Sequence, residues 1–166
     1  ETVLAEGHDF FSSPRLSRDG RRLAWLAWDH PRMPWQGSEL WLAELDDSGL
    51  PRSPRKVAGS TNESIFQPEW SPRDELHFVS DRTGWWNLYL EVDGRVEPVI
   101  TMEAEFGFPE WVFGGSAAAF LADGRLAAVY ARDGREHLVL LRPGEGAMEV
   151  VPAPFTSYCP STTLRN

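Results

Sequence analysis

Between Ile65 and Val92 apolar and polar positions alternate in short runs broken by turn residues. Gln67 to Ser71 is a short run ending in a Ser-Pro turn. Leu76, Phe78 and Ser80 then alternate with His77 and Val79 at the period of two that marks a strand. After a break at Gly84, Leu88, Leu90 and Val92 alternate again. The pattern predicts strand, turn, strand, aromatic loop, strand, with Val96 to Thr101 as a fourth strand.

The same order of parts precedes and follows this unit. Before it, Phe10 to Ser17 matches Phe66 to Ser71, Asp19-Gly20 supplies a turn, and Arg22 to Trp28 is a second strand. Leu23, Trp25 and Ala27 face one way and Ala24, Leu26 and Trp28 the other, so both faces are apolar and the strand is expected between two layers. A loop rich in Pro and aromatics leads to Glu39 to Leu45, and a Pro-rich run returns through Lys56 to Ala58. Thr2 to Ala5 reads as a short strand without a partner. After the central unit, Phe108 to Phe113 with Ala117 to Leu121 forms a first strand bent or bulged at Gly114-Gly115. Leu126 to Ala131, His137 to Leu141 and Glu149 to Val151 follow. The anchor prolines Pro14, Pro68 and Pro109 lie 54 and 41 residues apart.

A period near 40 with four short strands per unit is the signature of propeller blades. The expected fold is all-β, a β-propeller segment of about three four-stranded blades cut from a larger ring. The expected division is 1–7 as the outer strand of a preceding blade, 8–60, 61–102 and 103–152 as blades, and 153–166 as the lead into a following one. A β-sandwich of about twelve strands is the alternative; the matched turn chemistry favours blades.

Composition adds limits. Eight Trp among 166 residues, with 14 Gly and 13 Pro, suit short strands and tight turns. A net charge of -9 without a basic block disfavours a nucleic-acid or anionic-membrane partner. Cys159 is the single cysteine, which excludes an internal disulfide and a CxxC metal site; no metal or cofactor is expected, and the reading is cytoplasmic. No apolar run approaches a membrane span, and the N-terminus has no signal pattern. The chain begins with Glu1 and reads as a piece of something longer.

PEWSPRDELHFVSDRTGWWNLYL, beginning at Pro68, resembles the TolB-type PD40 propeller repeat. Together with SSPRLSRDGRRLAWLAWDHPRMPW, ESIFQPEWSP and EFGFPEWVFG it is similar to the propeller of acylaminoacyl-peptidase and dipeptidyl-aminopeptidase-like members of the prolyl oligopeptidase family. The likeness runs from about Gly7 to Pro143. Arg18 and Arg73 stand where the pattern has Pro and Asp, and Asp74 where it has Gly; Asp tolerates the left-handed turn. The resemblance implies a non-catalytic propeller that caps an α/β-hydrolase domain of the same polypeptide and filters its peptide substrates. The serine, Asp and His of the chemistry would lie outside this segment. A stand-alone TolB-like or WD-repeat-like interaction scaffold is the alternative.

Within the chain no catalytic residue is expected: GxSxG is absent, and Gly114-Gly115-Ser116-Ala117 lacks its second Gly. His77 and His137 fall on strands as packed or edge residues, and His30 before Pro31 suits a turn. Asp81 and Arg82 are expected to make an ion pair or turn hydrogen bonds. In a four-stranded blade, the loops from second to third strand and those between blades emerge on one face. Those loops carry Met33, Trp35, Phe66, Trp85, Trp86, Phe106 and Phe108, an aromatic set with few charges that is expected to dock the hydrolase domain or line substrate access. For Trp85 and Trp86, filling gaps between blades is the equal alternative. Glu105 is the acidic candidate, because related peptidases hold a substrate amino group with propeller carboxylates. Open blade edges are also expected to favour self-association.

Overall fold

The computed structural model describes residues 2–158. Among them it forms twelve strands and no helix: β1 Phe10–Leu16, β2 Arg22–Trp28, β3 Glu39–Leu45, β4 Pro51–Gly59, β5 Ile65–Trp70, β6 Leu76–Ser80, β7 Asn87–Val92, β8 Arg95–Ile100, β9 Ala118–Phe120, β10 Leu126–Arg132, β11 Arg135–Arg142 and β12 Ala147–Val150. Short connections within each blade force its second, third and fourth strands to pair with their predecessors. The result is three antiparallel four-stranded sheets, each ordered as in the chain.

The sheets pack face to face. Ala24, Leu26, Leu40 and Leu42 of the first sheet share one apolar cluster with Ile65, Trp70, Leu76 and Phe78 of the second. Phe66, Val79, Leu88 and Val99 of the second share another with Leu126, Ala128, Val139 and Leu141 of the third. Each of the Val, Leu, Ile and Phe side chains among them, taken from water, contributes about 1.5–3 kcal/mol. One side of β2 meets the expected layer, Ala24 and Leu26 facing the second sheet; on the outer face Trp25 and Ala27 join Ala43, Trp41 and Ala5 in a smaller cluster, with no second sheet over it among the described residues.

Repetition extends to backbone detail. Ser13 (φ 50°) and Gln67 (φ 47°) precede Pro14 and Pro68, and each sits where the ladder to the next strand shifts register. A bulge there accommodates a proline that has no N–H to give the ladder. The first turn of each blade closes alike, with Gly20, Asp74 and Gly124 donating to the carbonyls of Ser17, Ser71 and Leu121. Asp74 takes the glycine place at φ 60°, as its tolerance of that conformation allows.

Three expectations are corrected. Thr2 to Ala5 is not a strand; Ala5 instead packs on the outer face of the first sheet. Phe108 to Phe113 is not a strand either, and Gly114 belongs to a turn before β9 rather than to a bulge within it. Counting back from the turn, Ala118 holds the place of Pro14 and Pro68, so Pro109 is no anchor and its match was a coincidence of spacing. Residues 151–158 carry no strand, while the rest of the expected lead, 159–166, and Glu1 fall outside the described residues.

One buried group makes the seam between the second and third sheets sensitive to acid. His77 on β6 is 2% exposed, its ring edge meets Phe120 of β9 at 4.9 Å, and its Nε2 has no hydrogen-bond partner. Burial lowers its pKa from 6.5, with the Glu75 carbonyl and charge pulling weakly the other way. Glu69 of β5 stands opposite it in the ladder. The folded seam therefore holds the neutral ring, and the unfolded chain takes up the proton first. Stability from this residue is full above about pH 6.5 and falls as pH drops from there toward the depressed folded value. Urea midpoints measured across this range should fall with acid in the wild type and fall less in His77→Leu; equal slopes would refute the assignment.

Candidate functional site

Chain direction sorts the loops. β1, β5 and β9 start at one face and β2, β6 and β10 return to it, so residues 29–38, 60–64, 81–86 and 101–117 all emerge there. On this face an aspartate after the second strand of the first and of the second blade ties down the start of its own blade. Asp29 accepts the N–H of Asp9 at 2.9 Å, and Asp81 accepts the N–H of Ser64 at 2.7 Å. Asp81 has its pKa raised by burial, with Glu63 and Glu105 adding to the effect. Arg82 pairs with Glu63 at 2.8 Å, not with Asp81, and lies over the Tyr89 ring. Both residues of the Asp81-Arg82 pair thus serve structure: the hydrogen bonds are as expected, and the ion pair is made with a different acid.

The long connection 101–117 builds most of the face. Asn87, fully buried, donates to the carbonyls of Trp85 and Met102 and accepts the Met102 N–H, which fixes where the connection leaves β8. Glu105 accepts the Trp86 N–H at 2.9 Å, and its backbone bridges to Ala131. Gly107 must be glycine, since a Cβ there would lie 2.0 Å from Cε3 of Trp86. At the far end the buried Gln67 side chain donates to Ser116 and to the Ala118 carbonyl and accepts the N–H groups of Ala117 and Ala118.

Between these roots the chain swings back across the second blade to the first. Trp111 packs on Trp35 with ring centroids 4.1 Å apart, Phe113 approaches Trp28 at 6.1 Å, and Ser13 donates to Glu110 at 3.4 Å. Trp111, Val112 and Phe113 remain exposed at 74%, 78% and 61%.

The expected face residues separate into two groups. Met33 and Trp85 are exposed, and Trp35 is half-buried beneath Trp111. Phe66 and Phe106, each 1% exposed, are not on the face; they fill the seam between the second and third blades, because their rings fit the gap between diverging sheets. Trp86 and Phe108 are half-buried against Phe66, at 5.6 and 4.8 Å. Glu105 lines a cavity of about 240 Å³ together with Ala119, Ala127, Val129 and Leu138 of the third sheet. Sequence reasoning missed Trp111, Val112, Phe113 and Glu110 by placing them in a strand. Pro109 and Gly114-Gly115 on either side were the available sign of a loop.

Among the described residues no three His, Cys, Asp or Glu side chains could hold a metal ion. What the site offers is an apolar, aromatic surface on a rigid support. Three successive four-stranded blades with such a face define a β-propeller segment.

No family model matches the sequence, and no curated protein matches it. Solved structures do. A puromycin hydrolase aligns over 93% of this chain at 40% identity and TM-score 0.86, with 23% of its own length covered. A puromycin-hydrolyzing peptidase of Mycobacterium tuberculosis aligns over 96% at 35% identity and TM-score 0.88, with 24% of its length covered. Prolyl oligopeptidase B of Galerina marginata shares the fold at 16% identity and TM-score 0.65, covering 90% of this chain and 20% of that one. The chain resembles the propeller of prolyl oligopeptidase-family peptidases. It spans about a quarter of the length of the puromycin-hydrolyzing structures it matches.

Proposed function

We propose that this chain is the substrate-filtering propeller of a cytoplasmic serine peptidase, and that its aromatic face covers an α/β-hydrolase domain of the same polypeptide. The parent enzyme would release aminoacyl or acylaminoacyl units from short peptides, or from aminoacyl amides of the puromycin kind, through an acyl-enzyme. The observation that carries this reading is 35–40% identity to puromycin-hydrolyzing enzymes along nearly the whole chain. The exposed band of Trp111, Val112, Phe113, Met33 and Trp85 supports it, since large apolar side chains gathered on one face have the composition of an interface core.

Hydrogen exchange on the full-length protein and on this chain alone tests the reading. Residues 30–36, 83–86 and 109–114 are expected to exchange more slowly in the full-length protein. Equal protection in both would show that this face meets no other domain.

A further inference from the structure

Residues 108–116 are fixed at both ends and lightly held between. Phe108 rests on Phe66, and Gln67 grips Ser116 to Ala118. From Glu110 to Phe113 the contacts to the first blade are those of Trp111 with Trp35, Phe113 with Trp28 and Ser13 with Glu110. Glu110 differs in kind from the other two. Its neighbours Trp111 to Phe113 lie largely in solvent, yet it is only 6% exposed. One carboxyl oxygen receives a long hydrogen bond from Ser13, and the other, Oε2, is buried without a hydrogen-bond partner. Next to it Gly114, at φ 85°, occupies a conformation other residues resist, and Gly115 packs so closely on Phe108 that a Cβ would lie 2.8 Å from the ring. Pro109 stiffens the other side. The segment is thus a short arm between a glycine pair and a proline, and its buried anchor can carry a charge.

We propose that 108–116 is a proton-controlled latch: it seats on the first blade while the Glu110 carboxyl is protonated, and it lifts from Trp28 and Trp35 when that carboxyl ionises. A neutral carboxyl tolerates a buried site in which Oε2 has no hydrogen-bond partner; a carboxylate so placed is costly, and water is one short swing away. Burial is the largest influence on Glu110 and raises its pKa. The Ser13 hydroxyl, the Gly114 amide and the Arg15 charge oppose it. Arg15, the cation facing it from β1, is shared with Glu69 of β5 at 3.7 Å and is only part-available. The seated arm therefore binds the proton more tightly than the lifted arm, and a rise in pH through the seated pKa drives lifting. Lifting would uncover Trp28 and Trp35 and change which apolar surface this face presents. Every contact of the latch lies within this chain, whether or not the face meets a hydrolase domain.

Val112, at the exposed tip, is the place for a reporter. With Cys159→Ser removing the native thiol, Val112→Cys in the full chain can carry a trifluoromethyl label. Its fluorine spectrum can then be followed from about pH 4 to 8, a span around the ordinary carboxyl value. The expected result is a one-proton change with a midpoint above the usual glutamate value. Glu110→Gln, nearly the same shape and never charged, should hold the seated spectrum throughout. Ser13→Ala, which removes a donor that favours the ionised form, should move the midpoint upward. Slow hydrogen exchange at residues 109–114 in Glu110→Gln would confirm that the arm is seated and the protein folded. A pH-independent wild-type spectrum, or a transition that survives in Glu110→Gln, would overturn the latch.

Discussion

Phe66→Ala should cost about 3–5 kcal/mol of folding stability, the range for deleting a buried aromatic ring. Phe66 is 1% exposed and lies where Trp86, Phe108 and the strands of the third blade converge. Truncation removes the ring from the seam and leaves a cavity that two stiff sheets cannot collapse around. Urea unfolding measures the loss directly. Trp85→Ala is the companion variant: its side chain is 39% exposed, so the cost should stay within about 1 kcal/mol. The contrast separates the two roles aromatics play here. If both variants lose the same stability, the division between seam and face is wrong.

Gln67→Leu is expected to be nearly as damaging for a polar reason. The Gln67 amide bonds to Ser116 and to backbone groups of Ala117 and Ala118, joining the inner strand of the second blade to the first strand of the third. Leucine keeps the bulk and abandons those groups at a part-buried site. Each group left without a partner costs about 1–3 kcal/mol where water cannot replace the lost bond. Stability should fall by about 2–4 kcal/mol. Hydrogen exchange at the Ala117 and Ala118 amides should quicken well before the β2 and β6 amides are affected. If those two amides keep their protection in Gln67→Leu, the side chain is not what holds β9 in place.

The same pair of residues shows why the repeat was readable in two blades and misread in the third. In the first two blades the strand-bulge-proline unit, the turn and the second strand are close in sequence, and local chemistry decides each: proline has no N–H, and glycine or aspartate accepts a positive φ. The bounds of β2, β3 and β6 follow from the short-range apolar pattern and the turn residues beside it. In the third blade FPEW repeats the letters of QPEW without its context. Pro109 and Gly114-Gly115 hint at a loop, but they do not say that the strand begins at Ala118, ten residues after Phe108, because that is set by Gln67, some fifty residues earlier in the chain.

The aromatic face divides along the same line. That loops of one kind share a face follows from strand count and direction, so Met33, Trp35 and Trp85 were within reach of the sequence. Which rings turn inward is a matter of the space between two packed sheets, and this puts Phe66 and Phe106 in the seam. Trp111 and Phe113 meet Trp35 and Trp28 only because a long connection doubles back over a neighbouring blade. By itself the sequence determined the all-β architecture, the three blades and most strand bounds, because alternation and turn residues act over a few residues. The tertiary structure alone decided the path of 101–117, the burial of Glu110 and the membership of the face, because contacts between residues far apart in the chain depend on how whole sheets pack.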